Sequence, residues 1–323
     1  MIYPWQQPQW QKVQQQQRVG KLPHALLMLG SQGLGKLDFA LHLAHGLLCN
    51  TPNEQGGGCG ECAACKLIAV DTHPDLFILQ ADERGKAIKV DGVRELSSKL
   101  NLTSQYGGYK LAIIVDAHDM NINASNSLLK TLEEPPSETL LILISSNPQK
   151  LPITVRSRCQ AIMFNTPDTQ QALSWLQSQN TQQADALLNL AHGAPLLALE
   201  LQQNDLLDHH KQLISALLGV AKNQPVIELA EQLHKLPLNY LLNWLFDWVQ
   251  DLIKLHQCGD SVQLVHIKQQ SELKQLAARS TLQGLYDYLD QLVKNKQVQS
   301  IPLNTQMLWE DLLLSWYKIL KRV

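Results

Sequence analysis

The chain has 323 residues, of which 45% are hydrophobic and 17% charged, so it holds ample material for packed cores and is not disordered as a whole. A net charge of −2 excludes a protein that grips nucleic acid through its overall field, although not one with a local basic patch. At ~150 residues per domain the length predicts two domains, or three if some are small.

No run of ~18 apolar residues occurs, so no membrane span is predicted. The start, MIYPWQQPQW, has neither a positive n-region nor an apolar h-region. A cytoplasmic protein is therefore expected, with its six cysteines as reduced thiols or metal ligands.

Along the chain, Gln14–Gln17 reads as the solvated face of a helix. Apolar runs suited to buried parallel strands follow at Ala25–Leu29, Leu76–Leu79, Leu111–Asp116 and Leu140–Ser145. Helical patterns separate them at Lys36–Leu48, Val93–Leu100 and Ala124–Glu134. This alternation predicts an α/β domain whose parallel sheet is covered on both faces. Beyond Pro167 the pattern is wholly helical. Thr169–Gln177 and Thr181–Leu190 are short, and Gly193-Ala-Pro195 punctuates the next start. Longer Leu-rich stretches, among them Val226–Leu236, Tyr240–Leu255 and Met307–Leu320, repeat apolar residues at three- and four-residue spacing. Boundaries are expected near residues 166 and 207.

The first predicted strand runs into Gly30-Ser-Gln-Gly33-Leu-Gly35-Lys36 and then a helix. Strand, G-x-x-G-x-G-K, helix is the P-loop layout, in which backbone N–H groups cradle phosphates and the lysine reaches the outer ones. The next position should offer a Ser or Thr hydroxyl to Mg²⁺, but it is Leu37. The third strand ends in Asp116 between Val115 and Ala117, where an active ATPase would carry two adjacent acids. Two readings stay open: a loop kept as a tight turn, or one that binds ATP or ADP without hydrolysis.

Cys49, Cys59, Cys62 and Cys65 place four thiols within seventeen residues, with Gly56-Gly-Gly58 and Gly60 between them. Four thiolates suit tetrahedral Zn²⁺ in a closed, structural site. The rival is an iron–sulfur cluster, whose further C-x3-C-P segment is missing. Zinc is the reading adopted on ligand type and spacing; Cys258 has no assignment. After the last predicted strand comes Val155-Arg-Ser157-Arg158-Cys159. An arginine in such a loop can stabilise charge on a neighbouring subunit's γ-phosphate, but a surface pair with a carboxylate is the commoner outcome.

Ser125-Asn-Ser127-Leu-Leu-Lys130-Thr-Leu-Glu133-Glu134-Pro135-Pro136, with Ser157-Arg158-Cys159 and His73-Pro-Asp75, resembles the bacterial clamp-loader branch of the AAA+ proteins. The resemblance is dense over residues 22–165 and thin beyond. It implies a RecA-like P-loop AAA+ domain with a zinc module over 1–165, a helical lid over 166–207 and an all-α collar over 208–323. It further implies a subunit of a DNA polymerase holoenzyme's hetero-pentameric clamp loader, alongside tau/gamma-type ATPase subunits and a delta-type subunit. Such an assembly opens a sliding clamp and places it on primed DNA.

Onto this chain the resemblance puts Arg158 as a finger acting in trans, flanked by Ser157 and Cys159, with Arg156 as a possible helper. Gly30, Gly33, Gly35, Lys36 and Asp116 become a degenerate nucleotide site, and Cys49, Cys59, Cys62 and Cys65 zinc ligands. Where active relatives carry a lid arginine after Gly193, this chain reads Ala-Pro-Leu-Leu. With Leu37 and the single acid, that loss favours a subunit that does not hydrolyse ATP itself. The competing expectations are a self-sufficient ATPase motor, which Leu37 opposes, and a direct DNA-binding module, which the charge opposes.

Overall fold

Continuous apolar runs in the first half form a five-stranded, all-parallel sheet in a computed structural model, which describes residues 1–83, 86–297 and 304–321. The strands are β1 (Ala25–Leu29), β2 (Leu76–Leu79), β3 (Lys110–Ile114), β4 (Thr139–Ser145) and β5 (Gln160–Met163), in the order β2-β3-β4-β1-β5. Four lie where their apolar runs predict. The fifth has no such run: it is a four-residue edge strand with Ile162 alone buried, so half-exposed polar positions conceal it.

Helices α1 (Gln7–Arg18), α2 (Lys36–Leu48), α3 (Ala63–Ala69), α4 (Val90–Leu100), α5 (Ile122–Glu133) and the single turn α6 (Ile153–Arg156) complete this part. Side chains alternate across a strand. Leu27, Ala112, Ile114, Leu141 and Leu143 therefore share one face, where they form a core with Val93 and Leu96 of α4, Leu128 and Leu132 of α5, and Val155 of α6. Leu26, Met28, Ile113 and Ile142 take the other face, and all four are buried as well. Burial on both faces is why these strands are continuous in apolar residues rather than alternating. Each such leucine contributes about 1.5–3 kcal/mol relative to exposure. On the side of α1 and α2, Trp10 meets Phe39 edge-on at 5.5 Å, and Phe39 meets Phe164 likewise at 5.1 Å.

Two buried polar groups fasten the connections. Asp75 accepts from the Ser104 hydroxyl and from the Gln105 and Tyr106 amides, each at 3.1 Å, so the His73-Pro-Asp75 tract pins the loop before β3. Lys110 opens β3 and donates its ammonium to the carbonyls of Leu100 and of Leu102, closing the end of α4.

The chain divides into two units, Met1–Ala172 and Leu173–Val323. Beginning with α7 (Thr169–Ser178), everything described is helical: α8 (Ala184–Leu190), α9 (Pro195–Gln203), α10 (Leu206–Ala221), α11 (Val226–Leu233), α12 (Leu238–Cys258), α13 (Gln270–Ala277), α14 (Leu282–Gln297) and α15 (Thr305–Lys321). Helix α8 starts later than its pattern predicts because Gln183 takes a left-handed conformation, φ 52°. None of the described helices is long and apolar enough to cross a membrane.

Leu241, Trp244, Leu245, Trp248 and Leu252 form the buried stripe of α12, at the helical spacing that the sequence shows. The indole of Trp316 donates to Leu217 O at 3.1 Å, and the Tyr288 hydroxyl to Leu312 O at 3.0 Å. Asp251, fully buried in α12, accepts from the amides of Val265 and His266 and from His266 Nδ1. Burial alone would push its carboxyl up, but these hydrogen bonds outweigh that and hold it low.

The ring of His266 stacks on His210 at 5.1 Å, and His210 also meets Trp244 edge-on. Burial, reinforced by His266, pushes His210 down to about 3. The folded unit thus keeps His210 neutral where an unfolded chain protonates it near 6.5. Its contribution to stability is complete above pH 6.5 and is lost as pH falls toward 3. Replacing His210→Leu should make the fall in thermal midpoint between pH 7 and pH 4.5 smaller than in the parent chain.

Candidate functional site

Three candidate centres lie in the first unit. At the carboxyl end of β1 the chain turns through Gly30 (φ 150°), Gly33 (φ 75°) and Gly35 (φ 77°) into α2. These are angles that glycine tolerates and other residues resist. A Cβ on Gly30 would also stand 2.3 Å from the carbonyl oxygen of Phe164. Lys36, only 6% exposed, folds back on its own loop and donates to Gly30 O at 2.7 Å and Ser31 O at 2.6 Å. Burial pushes the ammonium down to about 8, with Asp116 opposing that shift. Asp116, at φ 47°, turns the chain just after β3. Sheet and turn thus bring together the five residues of the predicted nucleotide site, with a half-buried Leu37 in place of a hydroxyl.

The sequence reading did not single out the segment before α1, which lies against this loop. Gln6 Nε2 donates to the carbonyls of Leu34 and Gly35 at 2.8 Å each, and Trp5 Nε1 donates to Leu34 O at 3.1 Å. Burial, reinforced by Asp38, to which the Tyr3 hydroxyl donates at 3.2 Å, pushes the Tyr3 pKa up to about 12. The Tyr3 ring covers Gly35 so closely that a Cβ there would stand 2.6 Å away. The aromatic-rich start of the chain was the available signal.

The second centre is the cysteine cluster. Cys49 follows α2, Cys62 caps the start of α3 and Cys65 sits in its first turn. With Cys59, their sulfurs all lie within 4.8 Å of one another. The sequence-predicted set is therefore brought together, and its geometry can hold a metal ion. Backbone amides already point at sulfur: Cys59 N to Cys49 Sγ at 3.2 Å and Cys62 N to Cys59 Sγ at 3.4 Å. Hydrogen bonds from Thr51 and from the amides of Cys62 and Glu61 pull Cys59 down to about 5, whereas burial pushes Cys65 up to about 12. Four sulfurs that close ionise together only when a cation shares their charge, which the donor set fits. Gly58 leaves room for Cys65: a Cβ there would lie 3.0 Å from its sulfur.

The third centre is the loop from α6 to β5. Cys159 packs against the core, and burial pushes its thiol up to about 12, so it acts as an apolar anchor. Ser157 Oγ donates to Thr154 O at 3.2 Å. Arg158 donates through Nη1 to Thr154 O at 2.9 Å and pairs through Nη2 with Glu133 Oε1 at 2.6 Å. Glu133, the last residue of α5, is a partner that sequence reasoning did not assign; an acid at a helix C-terminus, against the macrodipole, was its signal. Because Gln160 pairs with Leu26, the loop lies at the amino end of β1, whereas Gly30–Lys36 leaves the carboxyl end.

The comparisons agree over both units. A family model described as "DNA polymerase III, delta subunit" matches residues 5–168, and one described as "DNA polymerase III, delta subunit, C terminal" matches residues 204–318. The chain is 34% identical over 322 residues to DNA polymerase III subunit delta' of Pseudomonas aeruginosa, covering 98% of this chain and 97% of that one. It is 34% identical to the Escherichia coli subunit delta', over 97% and 94% of the two chains. The Bacillus subtilis subunit delta' is 31% identical over 91% of each. On matches of this length, the chain belongs to the delta-prime family of DNA polymerase III subunits.

Proposed function

We propose that the chain is the non-hydrolysing stator of a clamp loader, helping to place a sliding clamp on primed DNA in the cytoplasm. Its partners would be tau/gamma-type ATPase subunits and a delta-type subunit in a hetero-pentamer. Its catalytic contribution would be Arg158, offered to the γ-phosphate of a neighbour. The observation that carries this reading is the position of Arg158 at the sheet edge opposite its own nucleotide loop. The two ends of β1, Ala25 and Leu29, are separated by about 13 Å of strand, at ~3.3 Å per residue. That separation supports the reading that Arg158 serves a partner's phosphate rather than one at Gly30–Lys36. A guanidinium there would offset charge developing in phosphoryl transfer.

The nucleotide loop supports the other half of the reading. Lys36 is engaged by its own loop carbonyls, and Leu37 offers no oxygen to a metal. On this view residues 1–165 are the AAA+ domain, 166–207 the lid and 208–323 the collar through which the subunits associate.

In a loader reconstituted with tau/gamma-type and delta-type subunits, Arg158→Ala should lower DNA-stimulated ATP turnover while assembly stays intact on gel filtration. A loss of about 3- to 10-fold is expected, below the ~10³–10⁵ of a single-site GTPase because other sites keep their own arginines. Isolated chain should release no phosphate from ATP with Mg²⁺ above a Lys36→Ala control. Turnover abolished by Lys36→Ala would instead favour the self-sufficient motor.

Cys49, Cys59, Cys62 and Cys65 would hold a structural Zn²⁺, which neutralises four thiolates and ties the 49–65 loop to α2 and α3. Elemental analysis should find one zinc per chain. Cys62→Ser should lower that content and the thermal midpoint, and acid should release the metal as the thiolates take up protons. Iron with visible absorbance would identify a cluster instead.

A further inference from the structure

We propose that Glu133 is a positioning residue that latches Arg158 until a neighbour's phosphate displaces it, in the free chain and in the loader before DNA binds, an inference that rests on the reading of Arg158 as a finger acting in trans. The guanidinium is held at two points. Nη1 donates to Thr154 O at 2.9 Å, and Nη2 pairs with Glu133 Oε1 at 2.6 Å. A short charge-assisted contact of this kind occupies part of the donor fork that a phosphate would use. To serve a neighbour's γ-phosphate, Arg158 must exchange the carboxylate for the phosphate.

The place of Glu133 argues that the pair is more than incidental. It is the last residue of α5, and Glu134 follows it. Carboxylates there face the negative end of the helix dipole, a position that favours a cation. Local helix chemistry therefore opposes an acid at 133, and the observed contact that offsets it is Arg158.

The latch is also of a suitable strength. The two side chains are 36% and 49% exposed, so water screens the pair and its contribution is small. A weak partner of this kind holds the side chain while no phosphate is near and yields to a multiply charged one. Cys159 and Val155 of α6 are packed in the core beneath it, so release needs no more than side-chain rotation.

The test is the ATP turnover, without DNA, of the reconstituted loader carrying Glu133→Gln, Arg158→Ala or both. Glu133→Gln keeps shape and removes charge, and because the side chain is half exposed the thermal midpoint of the free chain should stay within about 2 °C. The expected result is a rise in turnover of about 2- to 5-fold, the range that an exposed ion pair can supply. That rise should vanish in the double variant, which should match Arg158→Ala alone. If Glu133→Gln leaves turnover unchanged or lowers it while Arg158→Ala lowers it, the latch is wrong and the finger stands. A rise that persists in the double variant also overturns the latch, since it would not run through Arg158. If Arg158→Ala has no effect on turnover, with or without DNA, the finger reading fails and the latch fails with it.

Discussion

Strand β1 pairs with β4 on one side and β5 on the other, with Leu29 level with Ser145 and with Met163. The placing of two of the candidate centres, the nucleotide loop and the arginine loop, depends on this double pairing. It brings the turn after β1 close enough to Phe164 that only a glycine fits at position 30. Because β5 begins opposite Leu26, it also sets Ser157–Cys159 at the far end of the same strand. A slip of one residue in β5 would turn Ile162 out of the core and move Arg158 relative to Glu133. The pairing is held by burial on both faces of β1 and β4, which makes it costly to disturb.

This dependence explains how folding alone can hold a loop of P-loop form. Gly30 is required by the approach of Phe164, and Gly35 by its left-handed angle and by the Tyr3 ring. Lys36 satisfies two loop carbonyls that would otherwise lack it as a donor. These demands come from folding and hold whether or not phosphate is ever bound. Leu37 and the single Asp116 answer to no such demand, and there the chain departs from the P-loop pattern of an active ATPase. The glycines and the lysine are thus accounted for by a strand-to-helix turn, whichever of the two readings of the loop holds.

Much of the fold and of the site was legible in the sequence because its signals are local. Continuous apolar runs marked Ala25–Leu29 and Leu140–Ser145, since burial on both faces leaves no polar alternation to confuse. Spacing marked the four cysteines, because three of them are set by a single helix start at Ala63 and the loop just before it. What escaped depends on pairs distant in sequence. Gln160–Met163 is a strand only because β1 lends it a partner. Tyr3, Trp5 and Gln6 matter through contacts about thirty residues away. The partnership of Glu133 with Arg158 links a helix end to a loop beyond the next strand, and no periodicity records it. The sequence did state the general expectation that a surface arginine finds a carboxylate, and that is the state in which Arg158 is seen.

The opposite placement of the nucleotide loop and the arginine loop gives the domain a polarity. Subunits that join one edge to the other's opposite edge associate head to tail, through a heterologous contact rather than a two-fold one. Such a contact does not close on itself, and copies with two competent edges would add without limit unless their rotation formed a ring. A member with a sound arginine edge and a lapsed nucleotide edge can donate to a neighbour and needs nothing in return. It therefore serves as a terminus. If Arg158 acts as proposed, the erosion at Leu37 and beside Asp116 is what gives the row of ATPase sites an end.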